Sequence, residues 1–242
     1  MSIGCGRHLA VTEGGLGVGR RTGQVASRAP VNRDRALERA VVVADGEGLE
    51  AVTMRRLARE LGVEAASLYH YVSGKAEILD GLVDMVSAEI ELPSGTDGWR
   101  PAIRQRARNT RAVLRRHPWA VALMASRTTP GPATLRLLDA GIGCFREGGF
   151  PVHAAAHAIS IVDSYVHGFV LQEVNLPFQS ESELAAMTGA IMEEFPRSDF
   201  PHLFELTTEH VLQPGYDYGN EFDVGLDVVI EGVAARLSRA EN

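Results

Sequence analysis

The chain has 242 residues, 45% of them hydrophobic, and a formal net charge of −7. It is long enough to bury a core as one large domain or two small ones, and no window approaches eighteen continuous apolar residues, so no membrane span is expected. No long apolar stretch precedes a cleavage-like site near the N-terminus, and Cys5 and Cys144 stand far apart. Secretion and a disulfide are therefore not expected, and a reducing cytoplasm is the default.

The sum of charges argues against a nucleic-acid partner, but their distribution does not. Residues 1–75 hold 11 Lys and Arg against 8 Asp and Glu; residues 76–242 hold 13 against 23. A phosphate backbone is drawn to the first part and repelled by the second. Lys75 is the one lysine, beside 23 arginines.

Residues 1–31 are rich in Gly and Arg without periodicity and read as a flexible basic arm, either a plain tail or a segment that touches DNA. From Asn32 the pattern turns helical, with Leu37, Val41 and Ala44 in step, and the spacing predicts a stop at Asp45-Gly46-Glu47-Gly48. Thr53 stands as the N-cap of a two-turn helix that Gly62 ends. A short helix is predicted from Ala65 to Tyr71. Gly74 breaks it, and Lys75 opens a long helix with Ile78, Leu79, Leu82, Met85 and Val86 on one side. Pro93 to Gly98 form a boundary. Beyond it no strand pattern occurs, and helices are predicted at 98–116, 118–126, 132–148, 152–175, 181–193, 200–210 and 219–238. The expected fold class is all-α, with an N-terminal three-helix bundle over 32–78 and a larger helical bundle over 79–242.

The stretch TMRRLARELGVEAASLYHYVSGK reads as a helix-turn-helix. Leu57, Ala58 and Leu61 turn inward on the first helix, Gly62 supplies the tight turn, and Val63 and Leu68 anchor the second. Ala65, Ala66, Ser67, Tyr69, His70 and Tyr71 remain outward. Small apolar groups suit thymine methyls, and hydroxyls and rings suit the phosphate walls of a major groove. Lys75 lies at a helix N-terminus, where the dipole and free amides favour an anion. On spacing alone a second reading stands beside this one: Tyr69 and Tyr71 pack the small bundle and Lys75 is simply solvated.

The T-x-R-x-L-A-x-x-L-G-V-x-x-x-x-L-Y-x-x-V-x-x-K pattern from Thr53 resembles the DNA-binding domain of the tetracycline-repressor family. Thr128-Thr129-Pro130, Gly149-Phe150, SIVDSYVHGFVLQE and VGLDVVIEGV resemble the C-terminal domain of its tetracycline-repressor subgroup. The resemblance implies a homodimeric transcriptional repressor that a small molecule releases from a double-stranded, palindromic operator. It implies that Thr53 is a helix cap that contacts phosphate, that Arg55 reads a base, and that Ser67, Tyr69, Tyr71 and Lys75 meet phosphates. Ala65 and Ala66 fall at base-reading positions, and His70 keeps a ring where the subgroup has tryptophan. The ligand-facing positions it implies are Arg106, Thr110, Leu138, Ile159, Ser160 and Asp163.

The departures are equally specific. Ala125 falls where the subgroup has a magnesium-binding histidine, and Gln172 where it has a water-holding acid. No cofactor and no metal are therefore expected, and the inducer is expected to be mostly apolar with a few polar groups.

On the predicted last helix, Phe222, Leu226, Val229, Ile230, Val233 and Leu237 form an apolar stripe. It serves either the core or, by the resemblance, a dimer interface with the 152–175 helix. On that helix Ala155, Ala158, Ile159, Val162, Tyr165, Val166 and Phe169 form a broad apolar side; His153, His157, Ser160, Ser164 and His167 form another. His153 and His157 have the i, i+4 spacing of metal ligands, but no cysteine or HExxH pattern accompanies them. The alternatives are a transcriptional activator with the same DNA domain, or an all-α enzyme built on an Asp163/His167 dyad. The second lacks a nucleophile elbow or phosphate loop in the sequence.

Overall fold

The structure is a computed structural model and describes residues 30–93, 97–195 and 197–240. Residues 1–29, and with them nearly all of the expected arm, lie outside the described residues. Helices account for the regular structure, and no strand occurs among the described residues.

The first helix, α1 (Arg33–Glu47), starts where the Asn32 side chain accepts from the Arg35 amide at 2.9 Å. It ends within the predicted stop at Asp45-Gly46-Glu47-Gly48. Gly46 stays helical, a tolerated cost of about 1 kcal/mol, and Gly48, at φ 82°, ends the helix. After a short 3₁₀ turn, α2 (Met54–Leu61) begins at Thr53, whose hydroxyl accepts from the Arg56 amide at 3.2 Å. Gly62 closes α2 in the left-handed conformation, at φ 69° and ψ 34°. Its amide bonds back to Arg59 and that of Val63 to Ala58, the paired closure that a β-carbon would strain. Next comes α3 (Ala65–Leu68), which is shorter than predicted: Tyr69 to Tyr71 continue as turns, with the Tyr71 and Val72 amides both bonded to the Leu68 carbonyl.

The next helix, α4 (Lys75–Ala88), packs on α1. The two pass close at Gly81, where a β-carbon would lie 2.5 Å from a Leu37 methyl. Leu37, Val52, Leu57, Leu68, Ile78 and Leu82 form the centre of this N-terminal core.

The larger core is built by α5 (Trp99–Arg116), α6 (Pro118–Ser126), α7 (Pro132–Glu147), α8 (Val152–Val174) and α11 (Glu221–Ala240). Trp99, Phe145 and Phe150 stack edge to face at one end. Tyr165, Phe169, Phe222 and Tyr218 form a second ring cluster, over which the Arg111 guanidinium lies. Trp119 and Met124, on α6, pack against both cores. Among the described helices, α8 alone is long and apolar enough to cross a membrane. Its apolar side is spent on the core, with Ala155, Val162, Val166 and Val170 essentially sealed. Two further helices, α9 (Glu181–Glu194) and α10 (Pro201–Leu206), lie before α11. The predicted helix at 200–210 changes to a five-residue π turn at Thr207.

Residues 100–116 hold seven arginines, of which Arg100, Arg108, Arg115 and Arg116 are exposed to solvent, and each of the seven has a carboxylate within ion-pair distance. Arg100, Arg104 and Arg108 run along α5 opposite Glu231, Asp227 and Asp223 on α11, four residues apart on each helix. The acidic excess of the C-terminal part is thus partly spent against α5; exposed pairs of this kind contribute at most about 1 kcal/mol each. Of the two uses open to the apolar stripe on α11, the core takes most of it. Phe222, Leu226, Ile230 and Val233 belong to the chain's own core, and the Leu237 side chain lies outside the described residues. Among its described side chains, the large apolar residues that α11 leaves exposed are Val224 and Val228.

Candidate nucleic-acid interface and ligand site

The helix-turn-helix separates its inner and outer faces cleanly. Leu57, Ala58, Leu61, Leu68 and Val72 are buried, while Tyr69, His70 and Tyr71 are exposed, Tyr69 at 54% and Tyr71 at 42%. The reading in which the two tyrosines pack the small bundle therefore does not hold. Ala66 is exposed and Ala65 and Ser67 are half-buried beside them. Arg55 and Arg56 are adjacent but differ. Arg56 is held between Glu47 and Glu60, whereas Arg55 is exposed with no carboxylate in pairing distance among the described residues. Arg55 can thus be offered outward at no cost in broken pairs. Thr53 uses a lone pair for its cap and keeps its hydroxyl hydrogen for another acceptor.

Lys75 is exposed as the first residue of α4, and no side chain caps that end at Gly74. Glu77, to which the sequence reading assigns no role, accepts from the Ser73 amide at 2.8 Å, the Ser73 hydroxyl and the Arg33 guanidinium. These contacts, the Ser73 amide first, hold its carboxyl below the usual range. An anion arriving at this helix end meets Lys75 and the dipole, but also a carboxylate already in the first turn.

The six ligand-facing positions divide. Arg106, Thr110 and Ile159 are buried, and Asp163 is half-buried. Arg106 Nη1 lies 2.6 Å from Asp163 Oδ1, and Thr110 donates to the Arg106 carbonyl at 2.8 Å. Arg106 Nε is buried without a hydrogen-bond partner and faces Gly141 on α7, where a β-carbon would sit 3.0 Å away. Leu138 and Ser160 point outward and do not join this group. The proposed dyad does not form: His167 Nδ1 faces the Asp163 backbone carbonyl at 2.8 Å, and the Asp163 carboxylate is engaged by Arg106. The His153 and His157 rings stand 6.4 Å apart, both exposed. Ala125 is exposed, and Gln172 accepts from the Tyr218 hydroxyl at 2.8 Å.

The clefts lie elsewhere. One of about 350 Å³ sits between α9 and α10, lined by Ile191, Met192, Phe195, Phe200 and Leu203, with Thr188 and Thr207 at its base. Another, of about 560 Å³, runs between α8 and α11, bordered by Ala158, Ile161, Val228 and Val229, with His157 and Arg236 at its edges.

Comparison with known proteins accounts for both halves of this arrangement. Residues 36–82 match the family described as bacterial regulatory proteins, tetR family, and residues 92–237 match the tetracyclin repressor-like C-terminal domain. The chain is 35% identical over 234 residues to the HTH-type transcriptional repressor DrrR1 of Streptomyces coeruleorubidus, covering 90% of this chain and 84% of that one. It is 29% identical over 192 residues to the class A tetracycline repressor of transposon 1721 from Escherichia coli, covering 78% and 84%. Among solved structures, ActR of Streptomyces coelicolor in complex with actinorhodin superposes with a TM-score of 0.74 at 28% identity, covering 86% of this chain and 97% of that one.

Proposed function

The chain belongs to the tetR family of bacterial transcriptional regulators, and on that premise we propose that it is a homodimeric repressor. It binds a palindromic operator through residues 32–78, and a small molecule bound within residues 79–242 releases it. It acts in the cytoplasm, on double-stranded DNA. The observation that carries this reading is the outward ring turn. Leu68 and Val72 are sealed while Tyr69, His70 and Tyr71 between them face water. Three exposed rings in one turn are unfavourable for solubility, and a duplex groove supplies them with phosphates and base edges.

The dimer is supported by the apolar face that α8 and α11 leave uncovered. Val152, Ile161, Val224 and Val228 are each at least half exposed, and a groove lies between the helices. Two recognition helices must stand about 34 Å apart to enter successive major grooves, so dimer geometry sets operator affinity. A molecule that binds better to a conformation with another spacing lowers that affinity by linkage. The lever in this reading is α4, which packs on both α1 and α7.

The test is a mobility-shift screen of duplexes from upstream of the protein's own gene, repeated over a range of salt. Retention of one fragment, weakening steeply with salt, is the expected result; equal and weak retention of every fragment removes the operator reading. Arg55→Ala is expected to cost about 1–3 kcal/mol on the retained duplex and to relax preference at one base pair. An equal loss on all sequences makes Arg55 a phosphate contact instead. Ala65 cannot make a bidentate adenine contact, so the preferred sequence differs from that of relatives with glutamine there.

The ActR structures contain actinorhodin and (S)-DNPA, which are that protein's ligands. For this chain we propose an inducer that is mostly apolar, with a few polar groups and no metal. Magnesium–tetracycline is accordingly expected to leave the retained complex intact in the same assay, since Ala125 has no ligating atom in its side chain and Gln172 carries no charge. Release at micromolar concentration is the contrary result.

A further inference from the structure

His117 is the residue between α5 and α6, and it is buried, with 6% of its surface exposed. Both ring nitrogens face acids from the N-terminal helices. Nδ1 lies 2.7 Å from Asp45 Oδ1 near the end of α1, and Nε2 lies 3.2 Å from the carboxylate of Glu89, which caps the end of α4. Two other groups complete the cluster. The Trp119 indole N–H, on α6, donates to the same Asp45 oxygen at 2.7 Å, and Arg116, on α5, donates to Glu89 at 2.7 Å. Burial pushes the Glu89 carboxyl up, but Arg116 and His117 outweigh it and hold the group below the usual carboxylate range.

A carboxylate oxygen accepts and cannot donate. Both ring contacts are hydrogen bonds at once only when both nitrogens carry hydrogen. The neutral ring has one N–H. It keeps one acid and turns a lone pair toward the other. A single proton thus decides whether His117 adds a bond to both acids or to only one, beside the Trp119–Asp45 and Arg116–Glu89 bonds that stand in either state.

We propose that His117, doubly protonated, is a positioning residue for DNA binding: it fastens α1 through Asp45 and the end of α4 through Glu89 to the sensor helices, and so fixes the orientation of the helix-turn-helix. The inference rests on the DNA-binding reading above. Of the charged groups that face the ring, two are acids, on α1 and α4, and the one base, Arg116, is committed to Glu89. Trp119 packs against both cores, so movement of the corner is felt on both sides. Losing one fastening leaves the two recognition helices of a dimer freer in spacing. Affinity for two half-sites at fixed separation then falls, because more orientational freedom must be lost on binding.

The experiment has two arms, both on the full chain over the pH span in which imidazole changes charge. The chain has two tryptophans, so Trp99→Phe leaves Trp119 as the one emitter. An imidazolium beside an indole quenches it, and the rings here are 5.9 Å apart. Emission is expected to rise in a single step as pH increases, and the step is expected to vanish when His117→Gln is added. In the second arm, affinity for the duplex retained in the mobility-shift screen is measured against pH for the unaltered protein, His117→Gln and Glu89→Gln. The unaltered protein is expected to lose affinity several-fold as pH rises. His117→Gln removes that component. Glu89→Gln flattens it, because an amide can accept from the charged ring or donate to the neutral one. His70 is present in all three, so its contribution is common to them and cancels in the comparison. Superimposable profiles for the unaltered protein and His117→Gln overturn the proposal, as does a Trp119 emission step that survives His117→Gln. If no duplex is retained at all, the DNA-binding reading has failed rather than the fastening.

Discussion

Asp163→Ala is expected to lower the free energy of unfolding by about 3 kcal/mol, measured by urea denaturation. The Arg106 side chain is 5% exposed and the Asp163 side chain 29%, with Nη1 2.6 Å from the acid. Removing the acid leaves a guanidinium inside the C-terminal core whose Nε already lacks a partner. An uncompensated buried charge is what makes such a truncation costly; the intact pair need contribute little net stability, since its desolvation offsets its attraction. Water reaching Asp163 keeps the expected loss at the low end of the range. Arg106→Met combined with Asp163→Leu removes both charges and is expected to fall within about 1 kcal/mol of the parent, on either side. A loss well under 1 kcal/mol for Asp163→Ala means that Arg106 finds solvent and is not truly enclosed. The double variant also separates structure from sensing: if it folds but no longer responds to an inducer, the pair belongs to the ligand site as well.

The second large effect is expected from Val228→Asp. Val228 is 69% exposed on α11, next to Val224 and across the groove from Ile161 on α8. In the lone chain such a site tolerates a charge, so thermal stability of the monomer should change by no more than about 0.5 kcal/mol. In a twofold interface the same substitution occurs twice. Two unpaired carboxylates pressed against an apolar seam cost roughly 2 kcal/mol each or more, about 4 kcal/mol together, or roughly a thousandfold in association. Sedimentation velocity should show the dimer dissociating, and retention of the operator duplex should be lost with it. A variant that remains dimeric places the interface on another face. The α9–α10 segment is the first to examine in that case, with Phe195, Phe200 and Leu203 exposed around its cleft.

The parts of the fold visible in the sequence are those held by neighbours in the chain. Thr53 caps the amide three residues on, and Gly62 takes a positive φ that other residues avoid. The alternation of sealed Leu68 and Val72 with exposed rings repeats the helical spacing that predicted it. Boundaries are less legible. The helix predicted through Tyr71 ends at Leu68, and α1 runs through Gly46 to end at Glu47, within the four-residue stop predicted for it.

The candidate sites divide in the same way. The candidate DNA-facing residues sit within one stretch of 23 residues, Thr53 to Lys75, which made them legible in the sequence. The ligand-facing set was legible only as a resemblance, and the structure gathers four of its six members. His117 carried no local signal: its two acids lie 72 and 28 residues away. Sequence by itself determined the all-α class and the helix-turn-helix, because caps, turns and spacing act within a few residues; the outward side of Tyr69 and Tyr71 was settled by the structure. Tertiary structure decided that Arg106 is the arginine enclosed on α5, that its neighbours pair with α11, and that Val224 and Val228 rather than Leu226 and Ile230 face outward. Each of those outcomes depends on which helix packs opposite, over separations of 57 to 123 residues, and nothing in the local chain encodes that choice.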